Sequence, residues 1–124
     1  FGDHQPTDSI VNPVLALYDK SCSDLTAEEE YLRYQVPFFI WANFDIEEET
    51  GVEISPNFLG TKTLETAGLP LSSYFSFLSG LNEDVSVLSA SRVLLSDGTA
   101  TDIDAQEDLL SDYETLQYYL LFDQ

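Results

Sequence analysis

Val85-Ser-Val-Leu-Ser-Ala-Ser-Arg-Val-Leu-Leu95, followed at once by Ser96-Asp97-Gly98-Thr99, is the stretch on which the fold turns. Its first part reads as strand. Asp97-Gly98 readily supplies the positive φ of a hairpin turn, so the chain is expected to return antiparallel through Ile103. A hairpin with one apolar face needs a covering layer, and the sequence on both sides offers helices.

Downstream, Asp104 opens a helix in which Leu109, Tyr113, Leu116 and Leu120 recur at three- and four-residue steps. Upstream, Ser72 or Ser73 caps a helix holding Tyr74, Phe75, Phe77, Leu78 and Leu81, which is expected to stop between Gly80 and Asn82. Before it, Ser55-Pro56 starts a helix that Gly68 ends, with Pro70 just beyond. Asp45 to Gly51 is a polar connection. Gln35 to Phe44, with Val36, Phe38, Phe39, Ile40, Trp41 and Phe44, reads as a strand covered on both faces. Thr26 and Glu29 form a capping box for a short helix over Ala27–Tyr34. A first helix is expected from Asp8 to Lys20, weakened by Pro13. Residues 1–6 read as the end of a strand running into a loop. The expected class is α+β, a small sheet with an antiparallel hairpin packed by four to five helices, in one unit over 1–124.

Size and composition agree with a folded chain. At 13.9 kDa, folding leaves about 6,700 Å² of about 20,000 Å² exposed, enough burial for one domain. A hydrophobic content of 44% with 13% aromatics is far above that of a charge-dominated disordered chain. Twenty-three Asp and Glu against four Lys and Arg give a formal charge of -19, which repels phosphate backbones and anionic headgroups. Nucleic-acid and peripheral membrane binding are therefore disfavoured. No apolar run reaches the roughly 20 residues of a membrane helix, so these residues are expected to be soluble. The chain begins at Phe1 and contains no Met, and is expected to be a piece of a longer product.

Asp3 and His4 adjoin in a Gly-Asp-His turn after an apolar strand end, where open α/β sheets place ligands. A carboxylate with a neutral imidazole is a partial ligand set for zinc or manganese. Gly2 permits the turn that would let neighbouring side chains reach one ion. The alternative is a solvent-facing turn with an incidental histidine. Glu28–Glu30 and Glu47–Glu49 lack calcium-loop spacing and read as solvated. Trp41, Tyr74, Phe75 and Phe77 read as core. The single Cys22 reads as a buried or idle thiol.

Five segments together resemble one family. They are Phe-Gly-Asp-His-Gln-Pro at 1–6, Tyr-Gln-Val-Pro-Phe-Phe-Ile-Trp-Ala-Asn-Phe-Asp at 34–45, Ile-Ser-Pro-Asn-Phe-Leu at 54–59, Glu-Thr-Ala-Gly-Leu-Pro at 65–70 and Asp-Tyr-Glu-Thr-Leu-Gln-Tyr at 112–118. In this order they resemble the carboxyl-terminal end of the catalytic domain in lipoteichoic acid synthase-like phosphoglycerol transferases, of the sulfatase and alkaline phosphatase-like superfamily. The resemblance implies an incomplete alkaline phosphatase-like α/β unit. It implies that Asp3 and His4 are metal ligands for a divalent ion, commonly Mn2+, whose remaining ligands, a Glu and the nucleophilic Thr, lie upstream. It further implies a phosphatidylglycerol-type donor, an anionic phospholipid headgroup as substrate, and a parent anchored at the extracytoplasmic face of a bacterial membrane by upstream helices.

On that reading, partners are the upstream part of the same catalytic domain and, through exposed apolar surface, a second copy of the chain. Alone the fragment is expected to be inactive. A sulfatase or phosphodiester hydrolase of the same superfamily is the alternative. Cys22 is followed by Ser23-Asp24-Leu25-Thr26, without the Pro and Arg of a formylglycine motif, so it is not that nucleophile. An acidic protein-interaction module is the alternative from another class.

Overall fold

The computed structural model describes residues 1–89 and 92–122. They fall into two compact units, Phe1–Trp41 and Ala42–Gln124. In the second unit lie helix α3 (Pro56–Thr66), helix α4 (Ser73–Asp84), strands β1 (Val85–Leu88), β2 (Val93–Leu95) and β3 (Ala100–Thr101), a 3-10 turn over Ile103–Gln106, and helix α5 (Glu107–Phe122). In the first are α1 (Asp8–Leu15), 3-10 turns at Ala16–Tyr18 and Cys22–Asp24, and α2 (Ala27–Leu32). Among the described residues, five helices and a three-stranded antiparallel sheet make the chain α+β, as the hairpin and helix patterns require.

The sheet has the order β1-β2-β3. Val85 pairs with Leu95 and Leu88 with Val93, with a register shift between Val85 and Val87. The stretch expected as one strand therefore folds back on itself. Ser89 makes the bend by donating its backbone N–H to the Arg92 carbonyl at 3.0 Å, while its hydroxyl oxygen accepts from Arg92 N at 3.1 Å. Residues 90 and 91 of that stretch lie outside the described residues. The Asp97-Gly98 turn forms as expected: Gly98 has φ +85°, and the Asp97 carboxylate accepts from Thr99 N at 2.8 Å. That bond and the Thr99 hydroxyl hold the Asp97 carboxyl below its usual range. The return strand is shorter than expected. Only Ala100 and Thr101 pair, and Ile103 has already entered the 3-10 turn.

One face of the hairpin packs on the helices. Phe58, Leu78, Leu81, Val85, Leu88, Val93, Leu110 and Tyr113 form the buried cluster, with Tyr74, Phe75 and Phe77 packed against it. Gly60 of α3 faces the Phe75 ring of α4 closely: an added Cβ would stand 3.3 Å from it. The Ser72 hydroxyl caps α4 by accepting from Phe75 N, and the helix runs through Gly80 to Asp84 rather than stopping at 80–82. A single glycine costs about 1 kcal/mol in a helix, which burial of Leu78 and Leu81 on either side offsets.

Every buried residue among those described belongs to the second unit. In the first unit, α1 ends at Leu15 and a 3-10 turn carries the chain to Tyr18, short of the expected Lys20. Asn12 accepts from Cys22 N at 2.8 Å, Arg33 pairs with Asp8 at 2.7 Å, and Lys20 pairs with Glu29. The Thr26–Glu29 capping box is present in both directions, at 3.2 and 3.0 Å. Thr26→Ala should cost about 1 kcal/mol of local helix stability, measurable as faster hydrogen exchange at Glu29 and Glu30. Unchanged exchange there would contradict the cap.

Gln35–Phe44 is not a strand, contrary to the sequence expectation. Extended backbone becomes a strand only by exchanging hydrogen bonds with a neighbour. Its pairings form no ladder: Gln35 N donates to the Leu32 carbonyl at 3.2 Å, Pro37 accepts from Gly2 N at 2.9 Å, and Gln35 accepts from the Gln5 side chain at 2.6 Å. Trp41, expected in the core, is 76% exposed, and Phe39 is 83% exposed.

Candidate functional site

Asp3 and His4 stand in the irregular chain before α1, steadied by the Gly2–Pro37 bond. Gly2 lies so close to Val36 that a Cβ would meet its side chain at 3.1 Å, which explains glycine beside the pair. Within the turn, His4 N donates to Asp3 Oδ1 at 3.0 Å. The other carboxylate oxygen, Oδ2, lies 3.6 Å from His4 Nε2. His4 Nδ1 sits 2.8 Å from the Gln5 carbonyl oxygen. A carbonyl only accepts, so Nδ1 carries the proton and neutral imidazole presents a bare Nε2 lone pair.

This donor set fits a divalent ion as a partial site. Two ligand bonds of about 2.1 Å at a near-tetrahedral angle separate their donor atoms by about 3.4 Å, close to the observed spacing. A backbone carbonyl fixing the tautomer through the far ring nitrogen is the usual support of a metal-bound imidazole. Both side chains are open to solvent, at 84% and 75% exposure. Among the described residues no group of three or more His, Cys, Asp and Glu side chains comes together to hold an ion. Gln5 was not singled out from sequence, and its contribution is a backbone atom that residue type does not encode.

The other chemistry-bearing residues have structural roles. Glu29 receives Thr26 N and Lys20, and Lys20 with these cap bonds holds its carboxyl below the usual range. Glu49 pairs with Lys62 at 2.5 Å. Burial raises the Cys22 thiol above its ordinary range, against the lowering effect of Arg33. No helix among the described residues is long and apolar enough to cross a membrane.

A second polar cluster was not read as a site. Tyr113 of α5, assigned to the core by its spacing, is 6% exposed, yet its hydroxyl oxygen accepts from Asn57 Nδ2 at 2.8 Å and Gln117 Nε2 at 2.5 Å. The one available signal was Tyr113 and Gln117 at i and i+4 on one helix face. Burial is the main cause raising the Tyr113 hydroxyl above its usual range, with Tyr74 adding and the two amides opposing. The fold thus favours the neutral phenol: its contribution is present below the ordinary tyrosine range and is lost as pH rises through the higher folded value. In an ultraviolet titration, Tyr113→Phe should delete the late-ionising component among the seven tyrosines. A variant that leaves the late component in place would contradict the shift.

Compared with models of protein families, with curated proteins and with solved structures, the chain matches none.

Proposed function

We propose that this chain is the carboxyl-terminal part of a metal-dependent phosphoglycerol transferase catalytic domain with an alkaline phosphatase-like core, inactive by itself. The reading rests on the five-segment resemblance. The observation that carries it is the convergence of the Asp3 carboxylate and His4 Nε2 at 3.6 Å, with Nδ1 satisfied by Gln5.

In this reading Asp3 and His4 hold a divalent ion, Mn2+ by family resemblance, and the Gln5 carbonyl keeps the imidazole in the ligating tautomer. Bound there, the ion supplies charge neutralisation at a phosphodiester and activation of a threonine nucleophile contributed by upstream sequence. The donor is of phosphatidylglycerol type, and the enzyme works at the extracytoplasmic face of a bacterial membrane. With a net charge of -19 on these residues, the cations that recognise an anionic headgroup belong upstream.

Exposed surface supports a missing neighbour. Phe39 and Trp41, large apolar side chains of the first unit, are both exposed.

The test is a calorimetric Mn2+ titration of this chain beside the full-length gene product. The full product should bind at least about 100-fold more tightly, because two donors are half a four-ligand site. A micromolar or tighter site on this chain alone would overturn the reading. So would a coding region with no threonine nucleophile motif upstream of Phe1.

A further inference from the structure

The second unit carries a groove of about 460 Å³ between the start of α3, the end of β1 and α5. It falls within the roughly 300–1,000 Å³ of small-molecule sites. Leu88, Ile103 and Leu110 give it apolar walls, and Asn57, Tyr113 and Gln117 converge on it with Glu114 beside them.

Its polar chemistry is specific. Both amides direct their NH2 groups at the Tyr113 hydroxyl oxygen. With both amides donating to it, the Tyr113 oxygen acts as the acceptor, which leaves the phenol O–H as a donor available to the groove it lines. The amide oxygens of Asn57 and Gln117 and the exposed Glu114 carboxylate add acceptors along the groove. Ser89 adds little, because its hydroxyl already donates to the Arg92 carbonyl and accepts from Arg92 N.

A matching ligand must accept at least one hydrogen bond, donate several, and lay C–H surface on aliphatic walls. An anion fails this match: among the described residues no Lys, Arg or His lines the groove, and Glu114 repels it. An ammonium group donates but leaves the phenol proton without an acceptor. A hydroxyl does both. We propose that this groove binds a neutral polyhydroxylated ligand, a sugar or sugar alcohol up to disaccharide size, at a site independent of Asp3 and His4.

Maltose serves as the neutral probe in a titration of the whole chain followed by backbone amide NMR shifts. Saturable shifts are expected at residues 57, 103, 110 and 117. Tyr113→Phe removes one neutral hydrogen bond and should weaken binding about three- to tenfold. Glu114→Ala, at an exposed position outside the core, should weaken it as well while leaving the melting temperature unchanged. Shifts that do not saturate, or that neither variant alters, would overturn the proposal. Tighter binding of ethanolamine or of glycerol 3-phosphate, the ammonium and anionic probes, would overturn it too.

Discussion

Phe58→Ala should abolish cooperative unfolding of the Ala42–Gln124 unit or lower its melting temperature by more than about 12 °C. Phe58 is fully buried at the centre of the α3, α4 and hairpin cluster. Phe-to-Ala changes in such sites cost about 3–5 kcal/mol. A unit of about 83 residues has only some 4–12 kcal/mol in total, and each kcal/mol shifts the midpoint by about 4–8 °C at this size. Thermal melting followed by far-ultraviolet circular dichroism measures it, and a drop under 5 °C would show that this cluster is not the stabilising core. Phe39→Ala is the control. Because Phe39 is exposed, its loss should change this chain's stability by no more than about 0.5 kcal/mol. In the full-length product the same change should destabilise, if upstream sequence covers that side chain as proposed.

If the proposed function holds, His4→Ala should reduce Mn2+ affinity and transferase activity of the full-length product by at least about 100-fold. Losing even a supporting contact to a metal ligand costs about 10- to 100-fold, and on the proposed reading a ligand itself is removed. The side chain is 75% exposed, so melting of this chain should not move, which separates a ligand from a folding role. His4→Gln keeps a polar side chain but not the imidazole lone pair and should fail equally. Full Mn2+ affinity in either variant would remove His4 from the site. Asp3→Asn, which retains size and loses the charge, should lower affinity in the same assay.

Much of the second unit was legible because its signals are local. Ser55-Pro56, Gly68 and Ser72 act on the backbone beside them, and Asp97-Gly98 needs only its own φ angles and the Thr99 N–H. The Thr26–Glu29 box works in the same way within one turn. Legibility failed where an element depends on a partner. Gln35–Phe44 has strand-like composition, but a strand exists only through a neighbour's hydrogen bonds. Val85–Leu95 carries no glycine or proline at its bend, and Ser89 supplies the turn with its own hydroxyl.

The candidate sites divide along the same line. Asp3 and His4 were readable as a pair because adjacent residues need no fold to bring them together. The tautomer was not, since it depends on where the Gln5 carbonyl points. Asn57 and Tyr113, 56 positions apart, were not readable as a cluster at all.

Sequence by itself therefore determined the starts of α1 to α4, the stop of α3 before Gly68, the Asp-Gly turn, the acidic composition and the adjacency of Asp3 and His4, because each arises from interactions spanning a few residues or from composition alone. Tertiary structure decided that β1 and β2 pair as a hairpin through Ser89, that every buried residue among those described lies in Ala42–Gln124, and that a buried tyrosine lines a groove. Those features depend on contacts between distant segments, whose free energy exists only once the chain has brought them together.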